Sequence, residues 1–296
     1  MKKTQQLRKL LEAEDPLIMP GAFDALSAVL IQRAGFKAIQ ATGFGIAASY
    51  LGKPDVGLLT FSEMLDQTRR IVQAVDIPVM ADGDTGFGDI VNVIRTVQEF
   101  EAIGAAGINL EDQVFPKRCG HMEGKKIVSL EEMVGKIRAA AGTRMDPDFI
   151  INARTDAIAV AGIDEAIRRG NAYAEAGADL IFVEAPRSAE QIRRIANGVQ
   201  ARVSINLFDA VKGGDTPIVP IQELKEMGIT RVSIPVGVVF AAVKGMEQYL
   251  EALFNHGTIP DRKDLVVTFD HWKELIGLHE IRKLEEKYLS KSRCKE

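Results

Sequence analysis

The chain has only two cysteines, one tryptophan and four histidines in 296 residues, and no apolar run approaches the length needed to span a bilayer. Cys119 and Cys294 stand far apart, the second in a charged tail, so neither a disulfide-built fold nor a thiolate metal centre is expected. An excess of one charge is also missing. Lys and Arg number 37 against 41 Asp and Glu, for a net charge of −4 and a pI near 5.7. That balance gives no electrostatic footprint for nucleic acid, and the basic stretch 287–295 is too short and too mixed with acids to supply one. Met1-Lys2-Lys3-Thr4-Gln5-Gln6 runs into a charged helical pattern instead of an apolar signal core, so a cytoplasmic protein without membrane contact is expected.

What is present is an ordinary globular composition, 46% apolar and 26% charged, at a length that suits two average domains or one α/β barrel. One unit recurs along the chain: an amphipathic helix, a small residue with glycine at its end, then a short β-rich run that stops at a polar group. Ala34-Gly35 leads into 38–42, Ala106-Gly107 into 108–111, Ala176-Gly177 into 180–184 and Met227-Gly228 into 232–235. Glycine just past a helix adopts the left-handed cap at little cost, which accounts for its place in each unit. Further strands are expected at 17–20, 78–82, 149–154 and 202–206, making eight. Between them apolar residues recur at helical spacing, as in Ile90, Ile94, Val97 and Phe100.

Eight strands alternating with helices, with no break in composition, predict a single (β/α)8 TIM barrel over residues 1–264; a doubly wound sheet is the alternative. Residues 265–296 then form a C-terminal helical extension of the same domain. Its segment 266–289 carries Trp272, Leu275, Ile276, Leu278, Ile281 and Leu284 with no barrel position left to fill. An apolar stripe of that size predicts a subunit interface, with the terminal helix swapped between subunits of a homotetramer.

Catalytic groups of a barrel come from the carboxyl ends of its strands. The expected ends read Thr42-Gly43-Phe44, Asp82-Gly83-Asp84, Glu111-Asp112, Arg154, Glu184 and Asn206. Singly, each has an ordinary explanation: Asp82 or Asp84 could cap a helix and Glu111 could pair with a lysine. Together, several carboxylates at one mouth repel one another unless a cation sits among them, and oxygen donors without a histidine or cysteine cluster point to Mg²⁺ or Mn²⁺. Between the fourth strand and the next helix lies Lys117-Arg118-Cys119-Gly120-His121. Two cations and an imidazole would stabilise a thiolate there, and a tuned thiol can exchange a proton with carbon near neutral pH. Gly43-Phe44-Gly45-Ile46-Ala47-Ala48 matches a loose dinucleotide fingerprint, but it sits on the second unit with its helix expected only beyond Asp55. A loop whose amides hold a substrate carboxylate is the better reading.

These residues resemble the isocitrate lyase and phosphoenolpyruvate mutase superfamily. The likeness runs over nearly the whole chain: Pro20-Gly21-Ala22-Phe23-Asp24-Ala25, Asp82-Gly83-Asp84-Thr85-Gly86-Phe87-Gly88, Leu110-Glu111-Asp112-Gln113, the Lys117 to His121 signature and Ala153-Arg154-Thr155-Asp156. The Lys-Arg-Cys-Gly-His form is similar to the 2-methylisocitrate and 2,3-dimethylmalate lyase branch. Carboxyphosphonoenolpyruvate phosphonomutase has a similar signature and is the alternative, as is a non-catalytic binding protein.

The resemblance implies a Mg²⁺-dependent lyase that cleaves a 2-hydroxy dicarboxylate or tricarboxylate between C2 and C3 to pyruvate and a second carboxylate. It implies Asp82 as direct metal ligand, with Asp55, Asp84 and Glu111 acting through water. Thr42, Gly43 and Phe44 would hold the pyruvate carboxylate, and Arg154 the C2 oxygen. Cys119 would protonate the carbanion. Gly120, His121, Glu184 and Asn206 would surround the departing carboxylate, with His121 and Glu184 among the catalytic groups, and Lys117 and Arg118 would bind substrate. Gly83 stands where relatives have alanine, a small change expected to face away from the metal. Phe240 and Phe269 stand where methylisocitrate lyases are expected to carry basic residues, and Phe182 leaves room for an alkyl branch. The implied substrates are 2-alkylmalates first, with 2-methylisocitrate next.

Overall fold

The computed structural model describes residues 1–120, 124–208 and 216–289. The eight strands are β1 (Leu17–Ala22), β2 (Ile39–Ala41), β3 (Val79–Asp82), β4 (Gly107–Glu111), β5 (Ile150–Thr155), β6 (Leu180–Val183), β7 (Val203–Asn206) and β8 (Ile229–Ile234). They pair in sequence order, all parallel, and β8 returns to β1 with Leu17 opposite Arg231, so the barrel is closed. The (β/α)8 expectation holds and the doubly wound alternative does not. Each strand falls within three residues of its expected place.

Several helices start where a side chain satisfies one of their first backbone N–H groups. Asp24 accepts from the Ser27 N–H, Thr60 and Glu63 cap each other, and Ser188 accepts from the Gln191 N–H. Glycines end them in the left-handed region, at Gly35, Gly177 and Gly228. The helix before β4 differs from expectation: its cap is Gly104 (φ +88°), while Gly107 is already in the strand. A Cβ on Gly107 would lie 2.7 Å from the Ile150 carbonyl oxygen, so this glycine serves close strand approach instead of helix termination.

Apolar side chains fill the layer between barrel and helices, with Ile71, Val97, Phe100, Ile137 and Ile195 all buried. A separate apolar cluster closes the amino-terminal end of the barrel, where Leu7 and Leu11 of helix Lys3–Leu11 pack with Leu17, Met19, Met80, Ile150 and Leu180. The lumen between that plug and the mouth is polar. Arg231, fully buried, donates to Ser204 Oγ (2.7 Å), to Gln40 Oε1 and to Met19 Sδ (3.1 Å). Asn109 donates to the same Gln40 oxygen (3.0 Å), and Asn152 donates to Asn109 Oδ1 (2.7 Å). Burial pulls the Arg231 guanidinium down to about 9, against the opposing pull of Asp82, so it remains a cation at neutral pH.

The chain divides into two compact units, Met1–Val239 and Phe240–Glu296, upstream of the expected 264/265 boundary. The barrel and its mouth belong to the first. In the second, the single terminal helix expected from the sequence is two, Phe269–Leu275 and Leu278–Tyr288, because Gly277 turns left-handed (φ +71°) between them. Met246, Leu250 and Phe254 of helix Gly237–His256 are exposed. Among the described residues no helix is long and apolar enough to cross a membrane.

Candidate active site

Strand polarity brings the expected residues to one mouth. One cavity is lined by Thr42, Phe44, Asp55, Asp82, Asp84, Glu111, Lys117, Arg118, Cys119, Gly120, Arg154, Glu184 and Asn206. Gly43 lies behind Thr42 with its amide turned to Asp82. His121 lies outside the described residues.

After β2 the chain does not form the expected loop. Gly43–Ile46 is a short helical turn that runs on into a wider, π-helical turn over Ala47–Leu51. The Gly43 N–H donates to Asp82 Oδ2 (2.9 Å), and the Asp84 N–H donates to Asp82 Oδ1 (3.2 Å). Both oxygens of Asp82 are thus aimed by backbone. Helix capping does not explain Asp82 or Asp84, since Asp89 caps the following helix. Asp84 holds a left-handed φ of +44°, a conformation that aspartate tolerates better than most residues. A Cβ on Gly83 would lie 2.6 Å from Ile108 Cδ1 and 2.7 Å from the Asn109 carbonyl oxygen, so this position faces β4 at close quarters.

Lys117 is buried between two carboxylates, 2.7 Å from Asp55 Oδ1 and 2.7 Å from Asp84 Oδ1. Burial would lower its pKa, but Asp84, Asp55, Glu111 and Asp82 outweigh that and hold the ammonium well above its ordinary value. Its charge is thus taken up first by Asp55 and Asp84. Asp84 is pushed up to about 6, first by burial and then by Asp82 and Asp55, with Lys117 opposing. Glu111 is raised well above the usual range by burial despite Arg154 and Lys117.

The Cys119 segment is fixed through its backbone. The Cys119 N–H donates to the Asp55 carbonyl (3.1 Å), while Gln113 grips Arg118 from both sides, accepting its N–H (3.0 Å) and donating to its carbonyl (2.8 Å). Cys119 is half-buried at the rim. Arg154 Nη1 faces Glu111 Oε2 (3.3 Å) and Glu184 Oε2 (3.2 Å). Burial would lower the Arg154 pKa, but Asp156, Glu111 and Glu184 hold it well above its usual value. Glu184 is fixed by the Ala185 N–H (3.0 Å), with Ala185 itself at φ +57°, and accepts from Asn206 Nδ2 (3.3 Å). The remaining wall is apolar, formed by Phe44, Phe182, Phe208, Pro235 and Val236.

Sequence reasoning missed Asp156, Lys125 and Gln113 as supports behind this mouth. Asp156 was findable, because two residues past Arg154 a side chain returns to the same face of an extended chain.

Among the described residues no group of three or more His, Cys, Asp and Glu side chains stands ready to ligate a metal directly. A Mg²⁺ ion that keeps most of its water needs only one or two carboxylates, and the donors fit that mode. Among the described residues, Asp55, Asp82, Asp84, Glu111, Asp156 and Glu184 outnumber the cations Lys117, Arg118, Lys125, Arg154 and Arg231 around them. In addition, Glu111 Oε1 is buried without a hydrogen-bond partner, and such an oxygen wants a cation or a cation-bound water.

Comparison with known proteins agrees with this architecture. The family described as phosphoenolpyruvate phosphomutase matches residues 7–254. The 2,3-dimethylmalate lyase of Eubacterium barkeri is 48% identical over 97% of this chain and 99% of its own length. The 2-methylisocitrate lyase of Aeropyrum pernix is 42% identical over 94% of this chain and 88% of its own. A solved 2,3-dimethylmalate lyase superposes with a TM-score of 0.91 at 33% identity, covering 99% of this chain and 97% of that one. A phosphonopyruvate hydrolase solved with oxalate and Mg²⁺ gives 0.89 at 32%, covering 98% and 100%.

Proposed function

The chain belongs to the phosphoenolpyruvate phosphomutase family, and from that premise we propose that it is a Mg²⁺-dependent carbon–carbon lyase acting on 2-alkylmalates. Cleavage of 2,3-dimethylmalate between C2 and C3 would yield pyruvate and propionate; 2-methylisocitrate, the next candidate, would yield pyruvate and succinate. The observation that carries this reading is one cavity lined at once by a thiol, a guanidinium, a carboxylate cluster and several apolar side chains.

In the step itself the C2 hydroxyl passes its proton to a carboxylate of the mouth, the C2 oxygen becomes the ketone of pyruvate, and the C2–C3 electron pair passes to C3 beside a carboxylate. Arg154, with Nη1 turned into the mouth, stabilises the C2 oxygen. Cys119 delivers the proton that C3 needs. Gly120 and Asn206 border the departing carboxylate, and Thr42 and Phe44 the pyruvate end. Asp82 would hold Mg²⁺, with Asp55, Asp84 and Glu111 reaching it through water. The ion, when bound, polarises the C2 oxygen. The wall of Phe182, Phe208, Pro235 and Val236 offers apolar surface to an alkyl substituent, which favours alkylmalates as substrates. A cytoplasmic setting, in which thiols stay reduced, suits Cys119. A homotetramer using the exposed apolar residues after Phe240 belongs to the same proposal, and a solution mass of one chain would reject it.

A lactate dehydrogenase-coupled pyruvate assay across 2-alkylmalates, 2-methylisocitrate, isocitrate and phosphonopyruvate tests the reading. The expected result is turnover of 2,3-dimethylmalate that EDTA abolishes and Mg²⁺ or Mn²⁺ restores. Pyruvate from phosphonopyruvate alone would favour the phosphonate chemistry of the family, and EDTA-insensitive turnover would reject the metal.

A further inference from the structure

Asp156 is fully buried and grips Arg154 with both oxygens, Oδ2 accepting from Nε (2.9 Å) and Oδ1 from Nη2 (3.0 Å). A bidentate pair fixes the plane of a guanidinium as well as its position. The remaining nitrogen, Nη1, is thereby aimed at Glu111 and Glu184 in the mouth. Asp156 is itself fixed from below, since its N–H donates to Asp112 Oδ1 (2.9 Å) and Asp112 also accepts from Thr155, Tyr173 and Arg169.

From above comes Lys125. Its side chain is 4% exposed, and its ammonium lies 3.1 Å from Asp156 Oδ1 while also donating to the carbonyl of Gly120. One buried cation therefore joins the residue next to Cys119 to the carboxylate that orients Arg154. The joined parts also touch, for a Cβ on Gly120 would lie 2.6 Å from Arg154 Nη2. Neither Lys125 nor Asp156 lines the cavity.

We propose that Lys125 and Asp156 are positioning residues that lock the Cys119-Gly120 segment to Arg154, so that proton donor and oxygen-stabilising cation meet the substrate as one unit. This rests on the lyase reading for its kinetic consequence, but the coupling is a property of the free protein. The test uses the full chain carrying Cys294→Ser, so that Cys119 is its one thiol. Lys125→Met should raise the iodoacetamide alkylation rate of Cys119 about tenfold, since the segment loses its tie. With 2,3-dimethylmalate, Lys125→Met and Asp156→Asn should each lower kcat about tenfold or more with KM within about threefold. The double variant should be little worse than either, as expected for two parts of one device. Lys125→Arg should recover most of the lost kcat. Lys125→Gln, which can still donate one hydrogen bond, is the second variant should Lys125→Met not fold. An alkylation rate within about twofold of the parent, or losses that multiply in the double variant, would overturn the proposal. If no malate yields pyruvate, the lyase reading fails while the alkylation measurement still decides the coupling.

Discussion

Gly120→Ala isolates what close backbone approach contributes to the mouth. The added Cβ would lie 2.5 Å from Glu184 Cγ, 2.6 Å from Glu184 Cδ and 2.6 Å from Arg154 Nη2, whereas ordinary contact begins at 3.4 Å. Something must therefore move by about 0.9 Å, from those two distances. Neither neighbour yields easily: Arg154 is clamped by Asp156, and Glu184 is fixed by the Ala185 N–H. The displacement falls on the Cys119-Gly120 segment or on Arg154. A misplacement near 1 Å at reacting groups lowers rates by about a hundredfold, or about 2.7 kcal/mol of transition-state stabilisation. Stability should hardly change, because alanine reduces the freedom of the unfolded chain and the strain is local to the mouth. The pair of assays is pyruvate release and thermal unfolding by circular dichroism. Activity within threefold of the parent would refute the contact, and a large fall in Tm would refute its confinement to the mouth.

Cys119→Ser should nearly abolish turnover while oxalate or another product analogue still binds within a few fold, because a hydroxyl is too weak an acid to protonate the carbanion; isothermal titration alongside kinetics separates the two. Asp112→Asn should lower unfolding stability by about 3–5 kcal/mol in urea titrations, since it strips buried Arg169 of its buried carboxylate partner and turns an amide toward three donors. Asp146 is held below the usual carboxylate range, first by the Asp148 N–H and then by Lys2 and Thr4, with burial opposing. A depressed value adds stability above the unfolded pKa of 3.8 that is lost as pH falls through the folded one. Asp146→Asn should therefore lower Tm at pH 7 and lose that deficit at pH 2, and a deficit independent of pH would contradict the assignment.

The barrel was legible because two local signals repeat: left-handed glycine after a helix, and a short β-rich run ending at a polar group. Strand ends then listed the mouth without any knowledge of contacts, as Asp82, Glu111, Arg154 and Asn206 show. What failed depended on partners distant in sequence. Gly107 looks like a helix cap until β5 is placed beside it. Lys125 carried no signal at all, since a lysine in a loop is ordinarily solvated and only the fold buries it against Asp156. Gly277 was visible in the sequence, and reading 266–289 as one apolar stripe passed over the break it makes.

The lumen chain has a consequence for how the barrel selects its own register. A guanidinium can only donate, so Arg231 obliges Gln40 Oε1 to accept, and Gln40 Nε2 then gives its hydrogen to the Ala41 carbonyl (2.6 Å). Asn109 must in turn donate to Gln40, which leaves Asn109 Oδ1 to accept from Asn152. The order of donors and acceptors is set from one end and runs through β8, β2, β4 and β5. A slip of one residue in any of these strands would turn its polar side chain out into the apolar layer and strand the others without partners. Parallel strands rich in Val, Ile and Ala have little else to distinguish one register from the next. In the folded barrel the buried arginine thus ties four strands to one register, so that a slipped pairing is penalised through the polar network.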